Sequence, residues 1–271
     1  MNRRSKSVVI FAGALSLLLL AAAGAQAGER PRIAIIIDDL GYALDSGRNA
    51  LTLPGALTYS FLPHTPYARR LAEQAHASGR EVMLHLPMEA TNKTPMGPGG
   101  LALQMDEEQF ASTLRSDLSA IPHVAGVNNH MGSLLTQDPD AMRRLMASLR
   151  ERGLYFVDSR TTKETVAELM AGENGVATAR RHVFLDLDPS REGVRGQFQR
   201  LLTLARQQGT ALAIGHPHRA TLAVLAQELP RLEQMEIDLV SASQLTETNS
   251  RKNLWHASSS PLPKVAKSLK P

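Results

Sequence analysis

The chain has 271 residues, no cysteine, 43% hydrophobic and 21% charged residues, and a formal net charge of +4. That composition excludes a disordered or collagen-like chain, and the length suits one large domain or two small ones. Disulfides, thiolate catalysis and thiolate metal sites are excluded too, so any transition-metal site must use histidine and carboxylate ligands.

The chain opens with Arg3, Arg4 and Lys6, then an apolar run from Val8 to Ala23, then Ala25-Gln26-Ala27 as a small-x-small cleavage site. Residues 1–27 thus read as a secretory signal peptide, with an uncleaved N-terminal anchor as the alternative. The expected location is exported and periplasmic. This leader carries three basic residues and no acid. Residues 249–271 carry five basic residues and no acid. Residues 28–248 therefore hold 22 basic and 26 acidic residues, and a basic groove for nucleic acid has no support.

After the leader, short apolar runs alternate with helical patterns. Arg32–Ile37 reads as a strand, and Leu57–Leu62 as a second. Tyr67–Ala77 reads as a helix, with Ala68, Leu71, Ala72 and Ala75 at helical spacing and Gly79 behind it. Val82–Leu86 is a third strand. Pro87–Gln104, rich in Pro and Gly, reads as a long loop. A helix starts at Asp106-Glu107-Glu108, where the dipole favours acids. Val124–Asn128 is a strand and Asp138–Glu151 a helix. Leu154–Val157 is a strand and Lys163–Met170 a helix. Val183–Leu185 is a strand and Gly193–Gln208 a long helix. Ala211–Ile214 is a strand, Leu222–Glu228 a helix, and Ile237–Val240 the last strand. Such alternation predicts an α/β fold: a distorted, single-domain β/α barrel of seven or eight parallel strands over residues 28–248. An open doubly wound sheet is the alternative. The tail over 249–271, with Ser258-Ser259-Ser260, Pro261 and Pro263, reads as disordered. Its cations would attach the protein weakly to an anionic envelope surface.

Strand after strand ends in a residue able to do chemistry: Asp38 and Asp39, His64, His85, Asn128, Asn129 and His130, Asp158, Asp186 and His216. In parallel α/β folds the carboxyl ends of the strands form one rim, where ligands bind. A lone polar residue at a strand end is commonly a cap or turn residue, and Asp158 and Asp186 are equally open to that reading. His64 could be a surface loop histidine. Asp38 and Asp39 differ, because two carboxylates behind Ile35, Ile36 and Ile37 are costly unless paired or metal-bound. Adjacent strand residues point oppositely, so the two could take different jobs. With His85, His130 and His216 they match the ligation zinc accepts.

Four segments carry a family resemblance. Ile35–Tyr42 (IIIDDLGY), Met83–Glu89 (MLHLPME), Val127–Ser133 (VNNHMGS) and Ala213–Pro217 (AIGHP) resemble the divergent polysaccharide deacetylase family, the YibQ-like proteins, over Arg32–Leu245. The resemblance implies a divalent metal, with zinc the expected ion, and an N-acetylated glycan substrate. It implies Asp38 as general base, Asp39 as metal ligand, His85 as metal ligand and His216 as general acid. The superfamily's second metal histidine falls at Glu89. Either Glu89 substitutes, or His130 completes the site, which is the favoured reading, or metal binding is weakened. Asn128, Asn129, Asp158, Glu89 and His64 are the candidate substrate-binding residues. Three other functions compete. One is a non-catalytic metal- and glycan-binding envelope accessory protein on the same fold. Another is a metal-independent glycoside hydrolase using Asp38 and Asp158. The third is a structural envelope protein without a site.

Overall fold

A computed structural model of the chain describes residues 29–249. The expected leader over 1–27 and the basic tail, from residue 250 onward, lie outside the described residues.

Nine parallel strands form one sheet. They are β1 (Arg32–Leu40), β2 (Thr58–Phe61), β3 (Glu81–Met88), β4 (Val124–Met131), β5 (Tyr155–Asp158), β6 (Thr178–Arg180), β7 (Val183–Phe184), β8 (Thr210–Gly215) and β9 (Asp238–Leu239). The order is β6-β5-β4-β3-β2-β1-β8-β7, with β9 added beside the first two residues of β1. Helices fill most crossovers: α1 (Leu44–Leu51), α2 (Ala68–Ala77), α3 (Glu107–Ala120), α4 (Pro139–Glu151), α5 (Ala167–Glu173), α6 (Arg191–Gln208) and α7 (Arg219–Glu228). Residues 242–249 form a last helix, α8. Among the described residues no helix is long and apolar enough to cross a membrane.

The sheet curls so that its two edges come near one another. β6 and β7 are the two edge strands, yet only Arg181 and His182 separate them, so the edges lie within a few residues' reach. The Arg181 N–H donates to the Asp158 carbonyl of β5, and the His182 N–H donates to the Leu212 carbonyl of β8. One interrupted strand thus changes partner at the seam. This is the distorted β/α barrel that the alternation predicts.

Two apolar layers follow from strand alternation. Ile33, Ile35, Ile37, Val82, Leu84, Leu86, Val127 and Phe156 face outward into the helices. Ala34, Ile36, Met83, Tyr155, Val157, Ala179, Leu212 and Ile214 face inward and fill the barrel. Ala242 and Leu245 of α8 belong to the inner cluster and plug its lower end. Polar bonds seat that plug. The Ala242 N–H donates to Thr58 Oγ1, and the Ser243 N–H donates to Glu81 Oε1, which also accepts from Thr58 and Tyr155 hydroxyls.

Three elements escape the sequence pattern. α1 contains Gly47, a poor helix former, but a side chain there would strike Leu71 of α2. β6 is three residues long, and two of them, Thr178 and Arg180, are polar. α8 is rich in Ser, Thr and Asn, and its docking rather than its propensity accounts for it.

Candidate metal centre at the barrel mouth

Parity along the strands decides which polar side chains meet. Ala34 and Ile36 face inward on β1, and Asp38 continues that series. Met83 leads to His85 on β3, Gly126 leads to Asn128 and His130 on β4, and Leu212 and Ile214 lead to His216 after β8. The apolar lower layers are therefore capped by one polar layer at the mouth. Asp39 has the opposite parity and would point away. Instead its φ is 58°, and the β1–β2 register shifts between Ile37 and Leu40. This bulge turns the second carboxylate into the same mouth as the first, contrary to the expectation that the two diverge. Gly41, at φ 129°, completes the turn, where a side chain would strike Thr65 Oγ1.

Three ligand atoms form a small triangle. Asp39 Oδ1 lies 3.2 Å from His85 Nε2 and 3.1 Å from His130 Nδ1, and the two nitrogens are 3.1 Å apart. Asp39 Oδ1 is buried and accepts no well-aligned hydrogen bond. A tetrahedral cation with bonds of about 2.0–2.1 Å separates its ligand atoms by roughly 3.3 Å. The triangle has that size, and its one-carboxylate, two-imidazole donor set suits zinc. These three residues fit a divalent metal. Glu89 does not join them. Its Oε2 accepts from the Leu103 N–H, and its carbonyl accepts from Leu134 and Leu135.

Asn128 organises the groups around the triangle. Its Nδ2 donates to both oxygens of Asp38, at 2.9 and 3.0 Å. Its Oδ1 accepts from Ser60 Oγ at 2.6 Å and faces His85 Nδ1 at 2.9 Å. An amide oxygen only accepts, so the proton sits on His85 Nδ1 and Nε2 is the nitrogen that faces the triangle. Burial raises the Asp38 carboxyl above its ordinary range against the pull of His85, His216 and Asn128. Burial works the same way on Asp39, but His130 and His85 outweigh it and hold that carboxyl low. Burial disfavours a charged His85, yet the Asp38 and Asp39 carboxylates raise it to about 9.

His216 is held from behind. Its Nδ1 lies 3.0 Å from Asp186 Oδ1, and its N–H donates to Asp186 Oδ2 at 2.6 Å. The Thr221 hydroxyl donates to that same oxygen. The other ring nitrogen faces the mouth, 3.7 Å from Asp39 Oδ2. Burial lowers His216, but Asp186, Asp38 and Asp39 together raise it above the ordinary value. His218 stands near this pair, yet both Asp186 oxygens are already committed, so the pair orients an imidazole.

The remaining expected substrate contacts lie elsewhere. Asn129 Oδ1 accepts from the Ser159 N–H, and its Nδ2 donates to the Met131 carbonyl. Asp158 is fully buried and caps the following turn through the Arg160 N–H and the Thr165 hydroxyl. His64 Nε2 pairs with Asp117 of α3 at 2.9 Å. Asn128 alone of the five stands in the polar layer at the triangle. Sequence reasoning passed over Ser60, Arg181 and Thr221. Counting strand parity from the apolar residues would have found Ser60 and Arg181, since Ser60 alternates with the outward Tyr59 and Phe61, and Arg181 follows the inward Ala179.

Known proteins resemble the chain in sequence and in fold. Residues 35–246 match the family described as divergent polysaccharide deacetylase. The chain is 39% identical over 240 residues to protein YibQ of Escherichia coli K12, covering 89% of this chain and 73% of YibQ. It is 37% identical over 214 residues to a protein of Haemophilus influenzae, covering 79% of this chain and 76% of that one. A crystal structure of a protein from Agrobacterium tumefaciens C58 superposes with a TM-score of 0.77 at 22% identity, covering 81% of this chain and 90% of that one.

Proposed function

The chain belongs to the divergent polysaccharide deacetylase family, and from that premise we propose that it is an exported, metal-dependent hydrolase removing N-acetyl groups from an envelope or extracellular glycan. The observation that carries this reading is the Asp39–His85–His130 triangle, with Asp38 3.7 Å from His85 and His216 3.7 Å from Asp39. A divalent cation held by those three residues, with zinc suiting the donors, supplies Lewis acidity toward water and the acetamide carbonyl.

The chain's own groups do the rest. Asp38, whose carboxyl burial raises above its ordinary range, takes the proton of the attacking water. Asn128 holds both Asp38 oxygens in place and fixes the tautomer of His85. His216, whose proton its carboxylate neighbours favour, gives that proton to the nitrogen of the departing amine. Asp186 keeps the ring aimed while it does so. Water adds to the carbonyl carbon, the C–N bond breaks, and acetate and a free amino sugar leave. Export is supported by the leader pattern over residues 1–27. The five cations of the tail support a weak attachment to an anionic envelope surface.

The test uses the mature chain. Metal content is measured in wild type, His85→Ala and His130→Ala, and acetate release is assayed on N-acetylglucosamine oligomers and peptidoglycan fragments. The reading expects about one equivalent of metal in wild type, its loss in both variants, and no acetate release in Asp38→Asn with metal retained. Full metal occupancy in the two histidine variants would overturn the ligand assignment. Acetate release by Asp38→Asn at the wild-type rate would overturn the base.

A further inference from the structure

Beside the triangle stands a cation that the hydrolysis just described does not use. Arg181 lies at the seam, in the inward series that begins with Ala179, and is half-buried. Its Nε donates to the Ser159 carbonyl at 2.6 Å and its Nη2 to the Arg160 carbonyl at 2.8 Å. Two neutral acceptors fix the fork, yet no carboxylate oxygen approaches Arg181 within 4.0 Å among the described residues. The guanidinium also packs over the Phe184 ring, 5.0 Å from its centroid, and that ring is 5.3 Å from the His216 ring. Arg181 is therefore no more than about 10 Å from the imidazole that faces the mouth, a span that one or two sugar residues bridge. Next to it, Ser159 is nearly buried and its Oγ has no hydrogen-bond partner.

A half-buried charge with no carboxylate within 4.0 Å, attracted only from farther off by Asp158 and Asp38, and a buried hydroxyl without a partner are both unfavourable in the free protein. One ligand satisfies both. A carboxylate accepts from a guanidinium in fixed fork geometry and also from a hydroxyl. We propose that Arg181 and Ser159 form an anion subsite beside the catalytic centre, selecting acetamido glycans that bear a carboxylate on the reacting sugar or its neighbour. This rests on the deacetylase reading above and narrows its substrate class. Lysine would replace arginine only in part here, since it keeps the charge but not the two bonds from Nε and Nη2 that orient the fork.

The experiment compares two probes that differ in one charge. The first is a disaccharide of N-acetylglucosamine and N-acetylmuramic acid, and the second is its methyl ester at the lactyl carboxylate. Acetate release and equilibrium binding are both measured with the metal-loaded full chain. Wild type should favour the acid over the ester about tenfold or more in kcat/KM and in affinity. In Arg181→Ala that ratio should fall close to one, and in Arg181→Lys it should be intermediate. Melting temperature and metal content report whether each variant is folded, and the ester comparison needs no variant. Equal handling of acid and ester by wild type would overturn the proposal. So would an undiminished ratio in folded Arg181→Ala, or an equal loss on both probes, which would assign Arg181 to the field around Asp38 alone. Absence of acetate release with a retained binding ratio would reject the deacetylase reading and leave the anion subsite standing.

Discussion

Side chains from three strands meet at Asn128: Ser60 from β2, His85 from β3 and Asp38 from β1. An amide suits that place because it both donates and accepts. A carboxylate would repel Asp38, and an alkyl group would leave three polar partners unsatisfied. Asn128→Ala should therefore weaken metal binding by about 10- to 100-fold although Asn128 is not a ligand, because His85 loses its fixed tautomer. Competition with a chromogenic chelator measures this, and a change below about twofold would show that Asn128 does not position His85. The sequence showed that Asn128, Asn129 and His130 end a strand, but not which of them face inward. Parity separates them. Asn128 and His130 enter the mouth, whereas Asn129 clamps Ser159.

At the scale of elements, the loops above the strands are tied by polar bonds that the apolar pattern does not announce. α3 is the clearest case. Its start is legible, since Asp106 and Gln109 form a reciprocal capping box. Its buried Asp117 is not legible, because an acid amid helical polar residues ordinarily faces solvent. Here it reaches the loop after β2 and meets His64. Burial pushes the Asp117 carboxyl up to about 8 from an ordinary 3.8. The folded chain thus holds a proton that the unfolded chain releases near pH 4. Stability from this group is complete below about pH 4 and is lost as pH rises towards 8. Asp117→Asn should flatten that dependence. Urea titrations at about pH 5 and pH 8 measure it, and an equal fall in both proteins would assign the loss to other groups.

For the whole molecule, the barrel needs a floor as well as a mouth. Its inner layer is apolar, and α8 closes it with Ala242 and Leu245. Leu245 is fully buried, so Leu245→Ala should cost about 2–5 kcal/mol, read from the midpoint of chemical denaturation. A loss below about 1 kcal/mol would mean that the plug contributes little to the closed barrel. The same closure places the site. The seam between β6 and β7 brings Arg181 round toward the His216 side, joining residues from opposite edges of one sheet.

The sequence alone determined the alternation of strands and helices, the barrel class, and the set of acids and histidines at strand ends. Those follow from local periodicity and from the cost of burying carboxylates without partners. The tertiary structure decided the rest. A bulge at Asp39 brought two carboxylates of opposite parity to one point. His130, carried on β4 beside β3, completed the triangle that Glu89 could not reach. Arg181 became part of the mouth only because the sheet curls back on itself. Each of these depends on register and closure between strands far apart in the chain, which no local pattern of residues encodes.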